Sequence, residues 1–325
     1  MKKIITIIIF ITVIIFITPF VKAQQVSLSI SPPLLETIIK PGKSIMVAYD
    51  LKNFGDPVYL LVKVVSFEPK DNLGNVRLKN ELEGPIKFSL DNANVQFERP
   101  FFLKTEEKQQ ILLRIKVPEN ISQGDYYYTL IAETIPSGNL NNNSISYAKA
   151  SIGSNILITV TDSGIIDIKP KIVIFDVLSK VKIFNQKINI FDSFDKIPVI
   201  LILENKGKNF IKPEGEIVLK NIFGHQLKYK IIPKNILSQS QRLIEASSSA
   251  SINESDKFKN SSFVLSGFFI GKNNLSAEIF FGENSPKVFA KASFFAFPFK
   301  LISILIILLI VASEIIKKIK KNEED

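Results

Sequence analysis

From Gln25 to about Ala292 the sequence is written in short β-branched and aromatic runs that alternate apolar with polar and stop at Pro, Gly, Asn or Asp. Residues 45–51 run up to Asn53-Phe54-Gly55, residues 58–67 to Pro69, residues 110–117 to Pro118, and residues 126–134 to Pro136. The same pattern returns after Gly164 in residues 199–204, 215–220, 226–232 and 275–281. Period-two runs every ~8 to 15 residues, with no amphipathic helix between them, predict antiparallel sandwiches. A parallel α/β sheet would need crossover helices, and no segment here has their periodicity.

The ends obey different rules. After Met1-Lys2-Lys3, residues 4–20 carry no charge, and Pro19, Val21 and Ala23 follow. This predicts a signal peptide (1–23) with cleavage after Ala23, an uncleaved N-terminal anchor being the alternative. Residues 301–316 carry one charge, Glu314, before Lys317, Lys318, Lys320 and Lys321. That is the pattern of a stop-transfer helix with a basic tail on the cytoplasmic side. Sixteen residues give about 24 Å against a hydrocarbon core of about 30 Å. The expected span is therefore 294–316, extended by Phe294, Phe295, Phe297 and Phe299, with a tail at 317–325.

The 270 or so residues between the ends are enough for two domains, each with its own core. Expected boundaries are 24–165 and 166–292, joined near Asp162 to Pro170. The formal charge is +10, from 41 basic and 31 acidic residues. Three basic residues lie before Ala23 and five from Lys300 onward, while four acidic residues follow Ser313. The intervening part keeps 33 basic and 27 acidic residues, about +6, with its lysines scattered. Such a balance suits contact with an anionic envelope polymer, but the Ile, Lys, Asn and Phe bias of the whole chain favours a plainer cause, surfaces solvated with lysine, and nothing in it signals a nucleic-acid site. With no cysteine, disulfides, thiol nucleophiles and lipidated cysteines are excluded.

Two internal echoes tie the halves together. Asp50-Leu-Lys-Asn53-Phe-Gly55 resembles Leu203-Glu-Asn205-Lys-Gly207, and Gly124-Asp-Tyr126-Tyr-Tyr128 answers to Gly267-Phe-Phe269. The Asn-x-Gly pairs read as turns with positive φ at the Gly or Asn. The Gly124-x-Tyr126-x-Tyr128 spacing matches the start of the penultimate strand of an immunoglobulin-like sandwich, where a tyrosine hydroxyl bonds back to the backbone. Period two then sends Tyr126, Tyr128, Leu130 and Ala132 inward. Tyr127, Thr129, Ile131 and Glu133 face outward, so Tyr127 is the one candidate binding platform.

Residues 31–42 (Ser31-Pro-Pro-Leu-Leu-Glu-Thr-Ile-Ile-Lys-Pro-Gly42), Leu51-Lys-Asn53-Phe-Gly55, and Lys116-Val-Pro118 through Gly124-Asp-Tyr126 resemble the N-terminal domain of the WxL-interacting surface proteins of Gram-positive bacteria. That domain is often compared with PapD-like pilus chaperones. The resemblance implies an order of signal peptide, peptidoglycan-binding sandwich, second sandwich contacting a partner protein or host surface, membrane helix and basic tail. The second half departs from that pattern at residues 212–224, so its partner does not follow from the resemblance.

Residue chemistry for catalysis is thin. His225, the single histidine, follows Gly224 in an expected turn, and no Gly-x-Ser-x-Gly elbow accompanies it. Asp71-Asn72-Leu-Gly74-Asn75 lacks the alternating acids of a calcium loop and reads as a hairpin turn. Glu98, Glu106 and Glu107 have no spacing that sets a glycosidase pair apart from a solvated edge. No catalytic, cofactor-binding or metal-ligating residue is therefore assigned, and no cofactor is expected. Residues 238–262 and 139–144 read as polar loops, the former mobile or contact-forming. The expected function is that of a non-catalytic, membrane-anchored envelope binding or scaffold protein, its partner a cell-wall glycan or a surface protein. An assembly chaperone using a strand edge is the alternative, and an envelope hydrolase ranks third.

Overall fold

The computed structural model describes residues 25–135, 149–179, 182–183, 186–187, 189–247, 260–282 and 285–324. The predicted signal peptide, the 139–144 loop and residues 248–259 of the serine-rich segment lie outside them.

The chain folds as two all-β, immunoglobulin-like sandwiches followed by one helix. The first contains β1 (Leu28–Ser31), β2 (Leu34–Ile39), β3 (Ser44–Asn53), β4 (Val58–Pro69), β5 (Val76–Leu78), β6 (Lys87–Leu90), β7 (Phe101–Leu103), β8 (Lys108–Lys116), β9 (Gly124–Ile135) and β10 (Ser151–Val160). One sheet runs β1-β3-β8-β6, and the facing sheet runs β2-β10-β9-β4-β5 with β7 also on β4. Alternation does the work expected of it: on β8, Ile111, Leu113 and Ile115 are buried while Lys108, Arg114 and Lys116 are exposed. Each fully buried aliphatic side chain of this kind contributes about 1.5–3 kcal/mol.

The second sandwich contains β11 (Pro170–Val177), a small ribbon of β12 (Lys182–Ile183) and β13 (Gln186–Lys187), then β14 (Ile190–Asp192), β15 (Ile197–Asn205), β16 (Glu214–Lys220), β17 (Gln226–Lys230), β18 (Ser240–Leu243), β19 (Phe263–Leu265), β20 (Gly271–Phe280) and β21 (Val288–Phe297). Its larger sheet runs β14-β21-β20-β16-β17. That order repeats the first domain's β2-β10-β9-β4-β5 strand for strand, and in each the outermost pairing, β2 with β10 and β14 with β21, is parallel. Every other pairing in these two sheets is antiparallel, as expected of such sandwiches. In the first domain the opening strand is interrupted at Pro32-Pro33, which donate no backbone N–H, and its two halves join opposite sheets.

Helix α1 (Phe299–Glu324) follows β21 with only Pro298 between. Its segment Phe299–Lys318 is apolar enough to cross a membrane, with mean hydropathy 2.6 and no residue of that stretch buried. Here the expected span 294–316 is corrected. Residues 294–297 complete β21, and Phe294 and Ala296 lie in the second core. Twenty residues reach about 30 Å, the thickness of a hydrocarbon core. The length missing from 301–316 comes from Phe299, Lys300 and the lysine end of the helix rather than from the phenylalanines of the strand.

Candidate binding site between the two sandwiches

Both Asn-x-Gly turns are built alike. The Asn53 amide, fully buried, donates to the carbonyls of Asp56 (2.8 Å), Leu103 (3.4 Å) and Lys104 (3.2 Å), and its oxygen accepts from the Gly55 N–H at 2.9 Å. Asn205 donates to the carbonyls of Asn209 (2.7 Å), Ile236 (3.1 Å) and Leu237 (3.2 Å) and accepts from the Gly207 N–H at 2.9 Å. The reason for glycine is not the positive φ expected from sequence. A Cβ at Gly55 would sit 2.2 Å from the carbonyl oxygen of Gln25, and one at Gly207 2.0 Å from that of Asp167. In each domain the incoming chain lies directly on the glycine.

The predicted corner at Tyr126 forms, its hydroxyl donating to the Ser122 carbonyl at 2.9 Å, and Tyr128 is buried in the first core. The neighbouring Asp125 carries the joint between the domains. Its Oδ1 accepts from Thr159 Oγ1 and Asn209 Nδ2, both at 2.8 Å, and its Oδ2 accepts from the Tyr127 hydroxyl at 2.9 Å and from the Phe210 N–H. Its own N–H donates to the Lys208 carbonyl at 3.1 Å. Burial pushes this carboxyl above its ordinary range, and the four donors draw it back only in part.

Tyr127, the candidate platform, does point away from the first core, but toward the second domain. Its oxygen accepts from the Ser238 N–H at 2.8 Å, and its ring stacks on Phe67 with centroids 5.6 Å apart. Burial, reinforced by the Asp125 charge, raises its phenol far above the usual value. The ring is thus engaged in the interdomain joint rather than offered to solvent as a platform. The other residues weighed from sequence stand apart from it. His225 is exposed in the β16–β17 turn, whose backbone is capped by Asn221. Asp71 accepts three hydrogen bonds within its own hairpin, from Leu73 N–H, Asn75 N–H and the Asn75 amide. Glu106 pairs with Lys52 at 2.8 Å, Glu107 accepts from the Lys104 N–H at 2.7 Å, and Glu98 is exposed.

Beside the joint lies a cleft of about 370 Å³, bounded by the edge of β2, the β4–β5 hairpin and residues 233–242. On one wall Glu36 accepts from Lys212 Nζ at 3.0 Å and from the Asn235 amide. Burial would raise the Glu36 carboxyl, but those two partners outweigh it and hold the group below its ordinary value. On the other wall the Arg242 guanidinium lies against Gly74, where a Cβ would come within 2.3 Å of it. Arg242 Nη1 donates to the Asn235 carbonyl at 2.6 Å, and its buried Nε has no hydrogen-bond partner among the described residues. No carboxylate is ion-paired with it among those residues. The cleft therefore combines the Arg242 guanidinium, on which the nearby Glu245 charge acts, with the apolar flanks of Leu34, Phe67 and Leu157.

Asp125, Glu36 and Arg242 were not singled out as site residues by sequence. Their partners lie 85, 199 and 7 positions away, and only the docking of two folded domains brings the walls together.

No family model matches the chain, and no curated protein matches it. Among solved structures it is similar to the class 5 fimbriae chaperone CfaA, at 12% identity over 82% of this chain and 99% of that chain, with a TM-score of 0.38. It is similar to the E. coli chaperone DraB at 11% identity over 83% of this chain and 98% of that one, TM-score 0.37. Over 42% of this chain and 27% of the other it is also similar to a family 123 glycoside hydrolase from Clostridium perfringens, at 12% identity and TM-score 0.28.

Proposed function

We propose that the chain is a non-catalytic, membrane-tethered binding protein of a cell envelope, with α1 spanning the membrane and both sandwiches on its outer side. The binding surface is the interdomain cleft together with the adjoining edge of β2, and its ligand is an anionic or carboxylate-bearing group on a cell-wall glycan or surface protein. The observation that carries this reading is Arg242, a partly buried guanidinium facing a walled cleft with hydrogen-bonding capacity to spare. Four lysines after the apolar stretch favour a cytoplasmic tail, and the apolar opening of the chain favours export. The test is retention of the protein by isolated cell wall and by solubilised envelope proteins, with Arg242→Gln alongside. Retention lost on this substitution supports the cleft; equal retention by both forms places binding elsewhere, and no retention by either removes the binding reading.

One observation favours an assembly-chaperone role as the second reading. β2 is the outermost strand of its sheet, exposes Leu34 and Ile38, and leads into the cleft at Glu36. A strand from a client could add to that edge, main chain to main chain. Slower amide hydrogen exchange across residues 34–39 on adding a client would distinguish it from cleft binding alone.

A further inference from the structure

The equivalent ends of the two sandwiches carry different chemistry. In the first domain that end is where β9 starts and β10 finishes, with Gly124 opposite Val160. In the second it is where β20 starts and β21 finishes, with Gly271 opposite Ala296. The first domain's end sits on the second domain, through Asp125 after Gly124 and through the β4–β5 hairpin, where the Asn72 carbonyl accepts from the Leu243 N–H at 2.6 Å. At the same end of the second domain stand Phe268, three residues before β20, and the β16–β17 turn, which carries Ile222 and Phe223. Gly124 and Gly267 share an unusual φ, +144° and +148°.

Where the first domain presents polar groups to a protein neighbour, the second presents large apolar side chains that stay exposed among the described residues. Phe223 is 68% exposed, Phe194 60% and Phe268 57%. The Phe194 and Phe268 rings touch, with centroids 5.1 Å apart, on the loops that flank the end of β21. Helix α1 leaves from this same end, and it is fixed there rather than hung on a linker. The Lys300 N–H donates to Asp192 Oδ2 at 2.9 Å, Lys300 Nζ pairs with Asp195, and the Ile302 N–H already bonds to the Pro298 carbonyl at 3.0 Å.

We infer that this end of the second sandwich is a lipid-seating face, in which Phe194, Phe223 and Phe268 insert into the headgroup region of the bilayer around the root of α1. The inference rests on the reading of α1 as a membrane span. The occupant is fixed by continuity: the apolar helix enters the bilayer at Phe299, Phe194 and Phe268 stand on the loops flanking that point, and Phe223 is on a turn at the same end of the sheet. Phenylalanines on an apolar face bury about 5–10 Å into the headgroup/acyl boundary. Exposed Lys220 and Lys272 stand on the strands behind them and meet anionic headgroups. The two sandwiches are then held as an upright, oriented unit and not as a flail on a flexible stalk.

The chain has no cysteine, so single labels are unambiguous. The full chain is reconstituted in vesicles of phosphatidylcholine and phosphatidylglycerol with an environment-sensitive fluorophore on H225C, F268C, K287C or L308C. Nitroxide lipids labelled in the headgroup or deep in the acyl chain, and aqueous iodide, serve as quenchers. Expected are headgroup-level quenching at 225 and 268, acyl-level quenching at 308, and iodide quenching alone at 287, on the far hairpin. Quenching at 308 with iodide-accessible labels at 225 and 268 would overturn the seating and leave the span intact. Quenching at 308 with 225 and 268 shielded from lipid and iodide alike would overturn it in favour of a protein neighbour on this face. Loss of lipid quenching at 308 would overturn the span itself, and the seating with it.

Discussion

The two sandwiches share the five-strand path of their larger sheet and their buried asparagine hub bond for bond, yet differ where the penultimate strand begins: Asp125, the second residue of β9, in one, and Phe268, three residues before β20, in the other. What is common is what closes an immunoglobulin-like core. What differs is what each domain stands on. The same end of the scaffold therefore serves as a foot, polar where the ground is another domain and aromatic where the proposed ground is lipid.

The strongest way to break this equivalence is through the hubs. Asn53→Ala and Asn205→Ala each strand several buried carbonyls and a buried N–H, and unsatisfied groups cost about 1–3 kcal/mol each. Each substitution should cost about 3 kcal/mol or more, read as accelerated hydrogen exchange confined to its own sandwich. A response in one domain only would mean that the shared geometry is not shared energetics. Next in size, Gly55→Ala and Gly207→Ala each drive a methyl group into a backbone carbonyl of the incoming chain. About 1–3 kcal/mol of destabilisation is expected for each in urea unfolding, as for other overpacked sites. Equal stability in either variant would show that the incoming segment, from Gln25 or from Asp167, can lift off without consequence.

Much of the fold was legible because strands and turns announce themselves locally. Alternation located β3, β4, β8, β9, β15, β16, β17 and β20, and the Gly124-x-Tyr126-x-Tyr128 spacing located the corner. The repeated Asn-x-Gly was legible as a pattern but not as a mechanism, since the close approach of Gln25 and Asp167 is a tertiary fact. The run of phenylalanines near the C-terminus was misassigned because an outward-facing Phe295 or Phe297 on a last strand has the same local hydropathy as the start of a membrane helix. Tyr127 was read as an outer-face residue, which it is for its own sandwich, but the sequence gives no sign that a second sandwich covers that face. Arg242 stayed invisible for the same reason, because residues of both domains line its cleft.

A smaller effect tests the corner. Tyr126→Phe removes one hydrogen bond to the Ser122 carbonyl, which has no counterpart at Phe269. A loss of about 1 kcal/mol is expected, seen in the first sandwich and not in the second. A change spread over both sandwiches would mean that the corner supports the interdomain joint and not just the first core.

The subtlest test is titration of the joint, where Asp125 and Glu36 pull in opposite directions. Asp125 has its folded value raised above the ordinary carboxylate value of ~3.9. Between the unfolded and the folded value the native state holds more protons than the unfolded one, so this group's contribution is present below the unfolded value and is lost as pH rises through the folded one. Glu36 is lowered instead, so its contribution is present above its unfolded value and is lost as pH falls through the folded one. Asp125→Asn keeps a polar side chain of the same size while abolishing the titration, so the decline of stability above about pH 4 should flatten. The Lys212–Glu36 pair is partly exposed and contributes less than about 1 kcal/mol, so Glu36→Gln should instead remove only a shallow acid-side loss. Unfolding free energies of the two variants between pH 3 and 8, compared at one salt concentration, give both slopes. If Asp125→Asn left the profile unchanged while Glu36→Gln altered it, the joint would be held by its rim, and Asp125 would be no more of a foot than any exposed carboxylate.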